Sequence, residues 1–235
     1  LRRLAKELNY REDIVRVPIL CRPLQAGRQE AILSSIKKGN SHRSEDISFA
    51  MEDGSILIFK TMSGDPAHMI SDYKYVLGEY LHNTLEWLRT EEIGCRFYVG
   101  SFQDNFCQYY PAYQHCRWLE EHIKTEHTAV YFYDHVQNYM QEIIPYQELH
   151  QAFNVFGGVL PEEFKENYKE LVGSLVKSDF HISNSASRLF MHKNTFVYRY
   201  NKIRDMLGIN PKNTVGDKGF LTYLYLYLAK KDQNG

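Results

Sequence analysis

Residues 181–210 read HISNSASRLFMHKNTFVYRYNKIRDMLGIN. Ile182, Ala186 and Leu189 recur at i, i+4 and i+7, one stripe of a helix. The pattern breaks at Phe190-Met191-His192. Phe196, Tyr200, Ile203 and Leu207 then recur at i, i+4, i+7 and i+11. That is a second helix, and Gly208 supplies its stop. Two short helices with a three- to four-residue turn, and a small Ala186 where the second must approach the first, predict a helix-turn-helix.

At about 100° per residue, the face opposite the second stripe holds Asn194, Tyr198, Asn201 and Asp205, with Thr195, Val197 and Lys202 at its edges. His192 and Lys193 stand at the helix N-terminus, and Arg199 flanks the buried stripe. A recognition helix presents its N-terminal residues to base edges. Lys donates to guanine there, and Asn bonds adenine through two atoms. The expected DNA-binding residues are His192, Lys193, Asn194, Thr195, Tyr198, Arg199 and Lys202, with Arg199 and Lys202 on phosphates. Free N–H groups at the helix start suit another phosphate. The competing reading is a solvated face with a chance cationic excess. Segment 188–204 holds five Lys/Arg and no acid, which tells against it. For Tyr198, packing on a neighbouring helix is the alternative.

The charge balance points the same way. From Ser178 onward nine Lys/Arg stand against four Asp, a net +5 in a chain whose total is −1, so the remainder carries −6. A basic C-terminal module on an acidic body fits the sequence-independent part of nucleic-acid affinity. The 235 residues are 43% hydrophobic and 24% charged, enough for one large or two small domains. No apolar run approaches the length of a membrane span, and LRRLAKELNYRED lacks a signal-peptide core. Cys21, Cys95, Cys107 and Cys116 show no CxxC spacing and read as reduced thiols. The expected location is the cytoplasm. A start at Leu1 predicts a piece of a longer chain.

Ahead of the helix-turn-helix the elements alternate. Residues 1–12 read as a polar helix. IVRVPILC (14–21) is a buried strand, and RQEAILSSIKKG (28–39) a helix burying Ala31, Ile32 and Ile36. Residues 46–62 form a hairpin around Glu52-Asp53-Gly54-Ser55. Residues 72–94 form a helix with Tyr75, Leu77, Leu81, Leu85 and Leu88 on its apolar positions. A strand (95–102), a helix (106–125) and a strand (128–134) follow. This β-α-β-β-α-β-α-β order predicts an α+β layer of helices on one sheet. Helices are then expected over 136–156 and 161–177, punctuated by Pro145, Gly157-Gly158 and Pro161. Leu221, Leu224 and Leu228 around TYLYLYL predict a last helix packed on the helix-turn-helix, with a dimer contact as the alternative.

Other chemistry finds little support. Cys107, His115, Cys116, His122 and His127 are close in sequence but lack metal-ligand spacing. Glu52 and Asp53 read as a solvated turn rather than an acid/base pair. Neither a GxSxG, a P-loop nor a GxGxxG is present. No catalytic residue, cofactor or metal is expected.

The stretch SASRLFMHKNTFVYRYNKIRDMLGINP (185–211) closely resembles the C-terminal helix-turn-helix of the CdaR/PucR family of bacterial transcriptional regulators. That family's pattern is roughly T-A-x-x-L-x-x-H-x-N-T-x-x-Y-R-x-x-x-I. This chain supplies Ser185-Ala186, Leu189, His192, Asn194-Thr195, Tyr198-Arg199 and Ile203. Ser185 replaces Thr, and Tyr200 stands where Leu is usual. The helical pair is also similar to the DNA-binding end of the factor for inversion stimulation. The resemblance implies DNA contacts near 192–199.

It also implies a degenerate relative of the diguanylate cyclase palm, a GGDEF-like domain, ahead of the DNA-binding end, with a sensor domain outside this chain. CRFYVGSF followed by YYPAYQHC resembles the palm's strand–helix step. An active cyclase needs carboxylates on the first strand and hairpin to hold Mg²⁺. Here no Asp lies between Val15 and Cys21, and the hairpin lacks the Gly-Gly-Asp-Glu-Phe run. The expected layout is α+β: a catalytically dead GGDEF-like domain over 1–135, a helical linker over 136–177, and an all-helical PucR-type helix-turn-helix over 178–235 with recognition helix 193–207. The expected partners are double-stranded DNA, a second copy in a homodimer, and a small-molecule effector of unknown identity, with no membrane. The rivals are a nucleotide-handling enzyme and a sensor or interaction module that does not bind DNA.

Overall fold

The computed structural model describes residues 14–39, 42–62, 66–209 and 215–234, with the backbone alone at 66–70 and 233–234. The polar helix expected over 1–12 lies outside them. The chain divides into two compact units, Leu1–Tyr139 and Met140–Gly235.

The first unit is built on a five-stranded sheet. Its elements are β1 (Arg16–Pro23), α1 (Gln29–Lys38), β2 (Ile47–Ala50), β3 (Ile56–Thr61), α2 (Pro66–Thr90), β4 (Cys95–Val99), α3 (Tyr109–His122) and β5 (Ala129–Tyr131). The strand order is β2-β3-β1-β4-β5. All pairs are antiparallel except β4 with β5. Strands one to four with α1 and α2 form the ferredoxin-like split βαβ arrangement. β1 is central, with Ile19 opposite both Ile58 and Val99. Its side chains alternate between two covered faces. Val17, Ile19 and Cys21 meet Ile32 and Ile36 of α1 and Leu77, Leu81 and Leu88 of α2. On the other side Leu20 meets Cys116 and Leu119 of α3 and Val130 of β5. Helix α3 comes close at Gly100, where a Cβ would stand 2.6 Å from the Ala112 carbonyl.

Three expectations shift here. Helix α2 starts at Pro66 rather than 72, with proline in the first turn, where its missing N–H is harmless. Tyr75 is 67% exposed and bonds Glu79, because it stands about 200° around the helix from Leu77. The last strand shortens to Ala129–Tyr131 and runs into a 3-10 turn, Phe132–Asp134.

Helix α4 (Val136–Ile143) spans the division between the units. The second unit continues with α5 (Tyr146–Val159), α6 (Glu162–Val176), α7 (Ile182–Arg188), α8 (Lys193–Leu207) and α9 (Val215–Asn234). The helix expected over 136–156 breaks before Pro145, which lacks an N–H and takes φ −63, ψ 143. Gly157 and Gly158 do not break α5. Gly157 is needed for packing, since a Cβ there would lie 2.6 Å from the Tyr227 hydroxyl. The helix ends instead at Leu160, held extended by Pro161.

The segment expected as a linker is part of the core. Leu149 of α5 and Tyr168, Leu171, Val172 and Leu175 of α6 pack with Ala186, Phe196, Tyr200 and Ile203, and with Leu221, Leu224, Tyr227 and Leu228 of α9. Tyr168 donates its hydroxyl hydrogen to the Leu221 carbonyl at 2.8 Å. Helices as short as α7 and α8 do not persist alone. Each fully buried Leu, Ile or Phe side chain contributes about 1.5–3 kcal/mol, and this shared core holds them. No helix of the described residues is long and apolar enough to cross a membrane.

Candidate nucleic-acid interface

Helix α7 is fixed from beneath by a buried serine. Ser185 donates to the His181 carbonyl at 2.9 Å, and its own carbonyl accepts from Ser174 Oγ of α6 at 2.9 Å. Ala186, 2% exposed, leaves room for α8. The turn closes with Met191 N donating to the Ala186 carbonyl at 2.9 Å. Phe190 sits in that turn at φ 53 with its ring 99% exposed. A left-handed backbone costs a non-glycine residue about 1–2 kcal/mol.

Helix α8 begins at His192, whose extended backbone and Nδ1, accepting from Asn194 N at 3.3 Å, form the N-cap. It ends at Gly208 in the left-handed conformation, φ 66. The inward stripe is Phe196, Tyr200 and Ile203, all buried. Burial pushes the Tyr200 hydroxyl up to about 12.

The outward face carries His192, Lys193, Asn194, Thr195, Tyr198 and Lys202, all exposed. Tyr198 is 62% exposed and does not pack on a neighbouring helix. Its ring lies 4.6 Å from the Lys202 ammonium, a cation–π contact that holds both side chains on the outer surface. Among the described residues, the side chains of Lys193, Asn194 and Thr195 make no hydrogen bond or ion pair.

Arg199 behaves differently. Its guanidinium donates to Asn167 Oδ1 at 2.5 and 3.1 Å and to Glu170 Oε2 at 2.6 Å, both on α6. That side chain ties α8 to α6. The signal was its place beside the buried stripe, where a long side chain reaches the supporting helix.

Sequence reasoning also passed over the start of α7. A groove of about 480 Å³ runs along the α7–α8 seam, lined by His181, Asn184, Lys193, Asn201 and Arg204 among others. Arg204 is half engaged by Asp205 at 3.1 Å.

In the first unit the hairpin carboxylate is already occupied. Asp53 Oδ2 accepts from Arg22 and Arg117 at 2.9 Å each, and Oδ1 from Ser55 Oγ at 2.5 Å. Burial alone would raise the Asp53 carboxyl, but the Ser55 and Arg22 bonds outweigh it and hold it well below the usual carboxylate range. His115 stacks on Phe132 and bonds Ser101, and His122 stacks on Trp118. Cys21, Cys95 and Cys116 are buried and Cys107 is exposed.

Fold and surface together define a DNA-binding helix-turn-helix regulator. Residues 169–227 match the family model described as the PucR C-terminal helix-turn-helix domain. This end of the chain is thus similar to a PucR-type helix-turn-helix, and the match begins within α6. No curated protein matches the chain. Among solved structures, a regulator of polyketide synthase expression from Bifidobacterium adolescentis aligns over 98% of this chain and 86% of its own, at 13% identity and a TM-score of 0.40.

Proposed function

We propose that α8 is the recognition helix of a dimeric, sequence-specific transcriptional regulator acting in the cytoplasm. The observation that carries this reading is the outward face of α8. Lys193, Asn194 and Thr195 cluster at its N-terminus, exposed and with side chains that make no bond among the described residues, with Tyr198 and Lys202 further along. Lys193 and Asn194 are suited to base edges, and Lys202 to a phosphate. His192 caps the helix and orients its first N–H groups. Arg199 is a positioning residue. A single helix of 15 residues reads few bases, so pairing two copies on a two-fold site supplies the missing specificity.

The α+β unit is proposed to be a non-catalytic GGDEF-like module. The engagement of Asp53 by two arginines supports this, since a metal would have to displace both. Absence of GTP turnover with Mg²⁺ is the expected result.

The DNA reading is tested by duplex binding between about 50 and 200 mM salt. Lys193→Ala/Lys202→Ala should weaken binding and make the salt slope shallower by about 1 per lost phosphate contact. An unchanged affinity and slope would overturn it.

A further inference from the structure

The first unit holds a cleft that the DNA reading does not use. It opens between the second half of α1 and the middle of α2, with a volume of about 460 Å³. Small-molecule sites typically span about 300–1,000 Å³. The lining includes Ser35, Lys38 and His42 on one side and Tyr80, Thr84 and Trp87 on the other. The α2 residues stand at i, i+4 and i+7, one stripe facing α1.

Among the described residues, the buried Tyr80 hydroxyl has no hydrogen-bond partner, whereas His42 Nδ1 lies 3.6 Å from Asp46 Oδ2. Tyr80 is only 4% exposed. A buried hydroxyl left unpaired is costly, and such groups in a folded protein call for an explanation. A tyrosine replaced by phenylalanine would fill the same space without that cost.

The lining itself carries positive charge, from Lys38. Deeper, the Lys60 ammonium lies 4.6 Å from the Tyr80 ring. The carboxylate there, Asp46, accepts from Lys60 at 2.5 Å, from Thr61 N at 2.7 Å and from Arg43 N at 2.8 Å, and its Oδ2 lies 3.6 Å from His42 Nδ1. No named lining residue is acidic. Trp87 is 37% exposed, so its indole offers a flat apolar surface within the same lining.

We infer that this cleft binds a small planar organic anion, a carboxylate on an aromatic or heteroaromatic ring. The Tyr80 hydroxyl bonds the carboxylate, Lys38 adds charge, and Trp87 stacks on the ring. The site belongs to the first unit, and the inference does not rest on the DNA reading.

The test is isothermal titration of the full chain with benzoate, nicotinate and indole-3-carboxylate, against neutral benzamide and the non-planar cyclohexanecarboxylate. At least one planar carboxylate should bind, with both controls about tenfold weaker, a difference of about 1.4 kcal/mol. Tyr80→Phe should lose about tenfold in affinity while its melting temperature holds or rises. Lys38→Gln, an exposed change, should also weaken binding and leave melting unchanged. The inference is overturned if no planar carboxylate binds up to about 10 mM or if either control binds equally well. It is also overturned if Tyr80→Phe binds as the parent does, or if it melts lower, which would make the hydroxyl structural.

Discussion

The sheet of the α+β unit and the outer face of α8 treat their charged side chains differently. Around the sheet several are paired within the fold. Arg22 bonds Asp53 and Glu120, Arg117 bonds Asp53, and Lys60 bonds Asp46. On the outer face of α8, the side chains of Lys193, Asn194 and Thr195 find nothing of the kind among the described residues. An ordered polar row on a rigid helix, left without internal partners, is what a surface awaiting a charged ligand requires. The contrast also divides α8 itself. Arg199 stands on the same helix but belongs with the satisfied kind, through Asn167 and Glu170.

Four predictions press on that contrast, from the largest effect down. Phe196→Ala empties a fully buried site and should cost about 3–5 kcal/mol in chemical denaturation of the C-terminal unit, with DNA binding lost alongside. Denaturation of Arg199→Ala should show a loss of about 1–2 kcal/mol, while the salt slope of DNA binding stays as in the parent. A shallower slope instead would move Arg199 back among the phosphate contacts. Lys202→Ala should do the reverse, a slope shallower by about 1 with stability within about 0.5 kcal/mol of the parent.

The smallest effect concerns pH and the α+β unit. Burial lowers the His115 imidazole below its ordinary value of 6.5. The unfolded chain then takes up the proton first. Stability from this site is complete above about 6.5 and is lost as the pH falls through it toward the lower folded value. Melting of the unit should drop between pH 7.5 and 5.5, and His115→Phe should flatten that drop. His42 and His135 are lowered in the same sense, each first by burial, so some dependence should remain.

The sequence made the local features plain. The 3.6-residue period placed Phe196, Tyr200 and Ile203 inward and Asn194, Tyr198 and Lys202 outward, because period depends only on helix geometry. The order of strands and helices was legible for the same reason. Features set by residues far apart in the chain were not. Arg199 meets partners 29 and 32 positions away, and Gly157 is required by Tyr227, 70 positions on. The helices over 146–176 read as a linker because their apolar stripe does not say what it will pack against. Pro145 broke a helix as proline chemistry demands, whereas the Gly157-Gly158 pair did not, since tertiary packing overrides propensity.

The central claim is that the outer face of α8 reads DNA as one half of a two-fold reader. Selection of bound sequences from a random duplex pool tests it most directly. The account predicts a two-fold motif with half-sites about 10–10.5 base pairs apart, or a multiple of that spacing, and loss of one or more conserved positions when Asn194→Ala is used. Failure to enrich any motif, or a motif that Asn194→Ala and Lys193→Ala leave untouched, would contradict it.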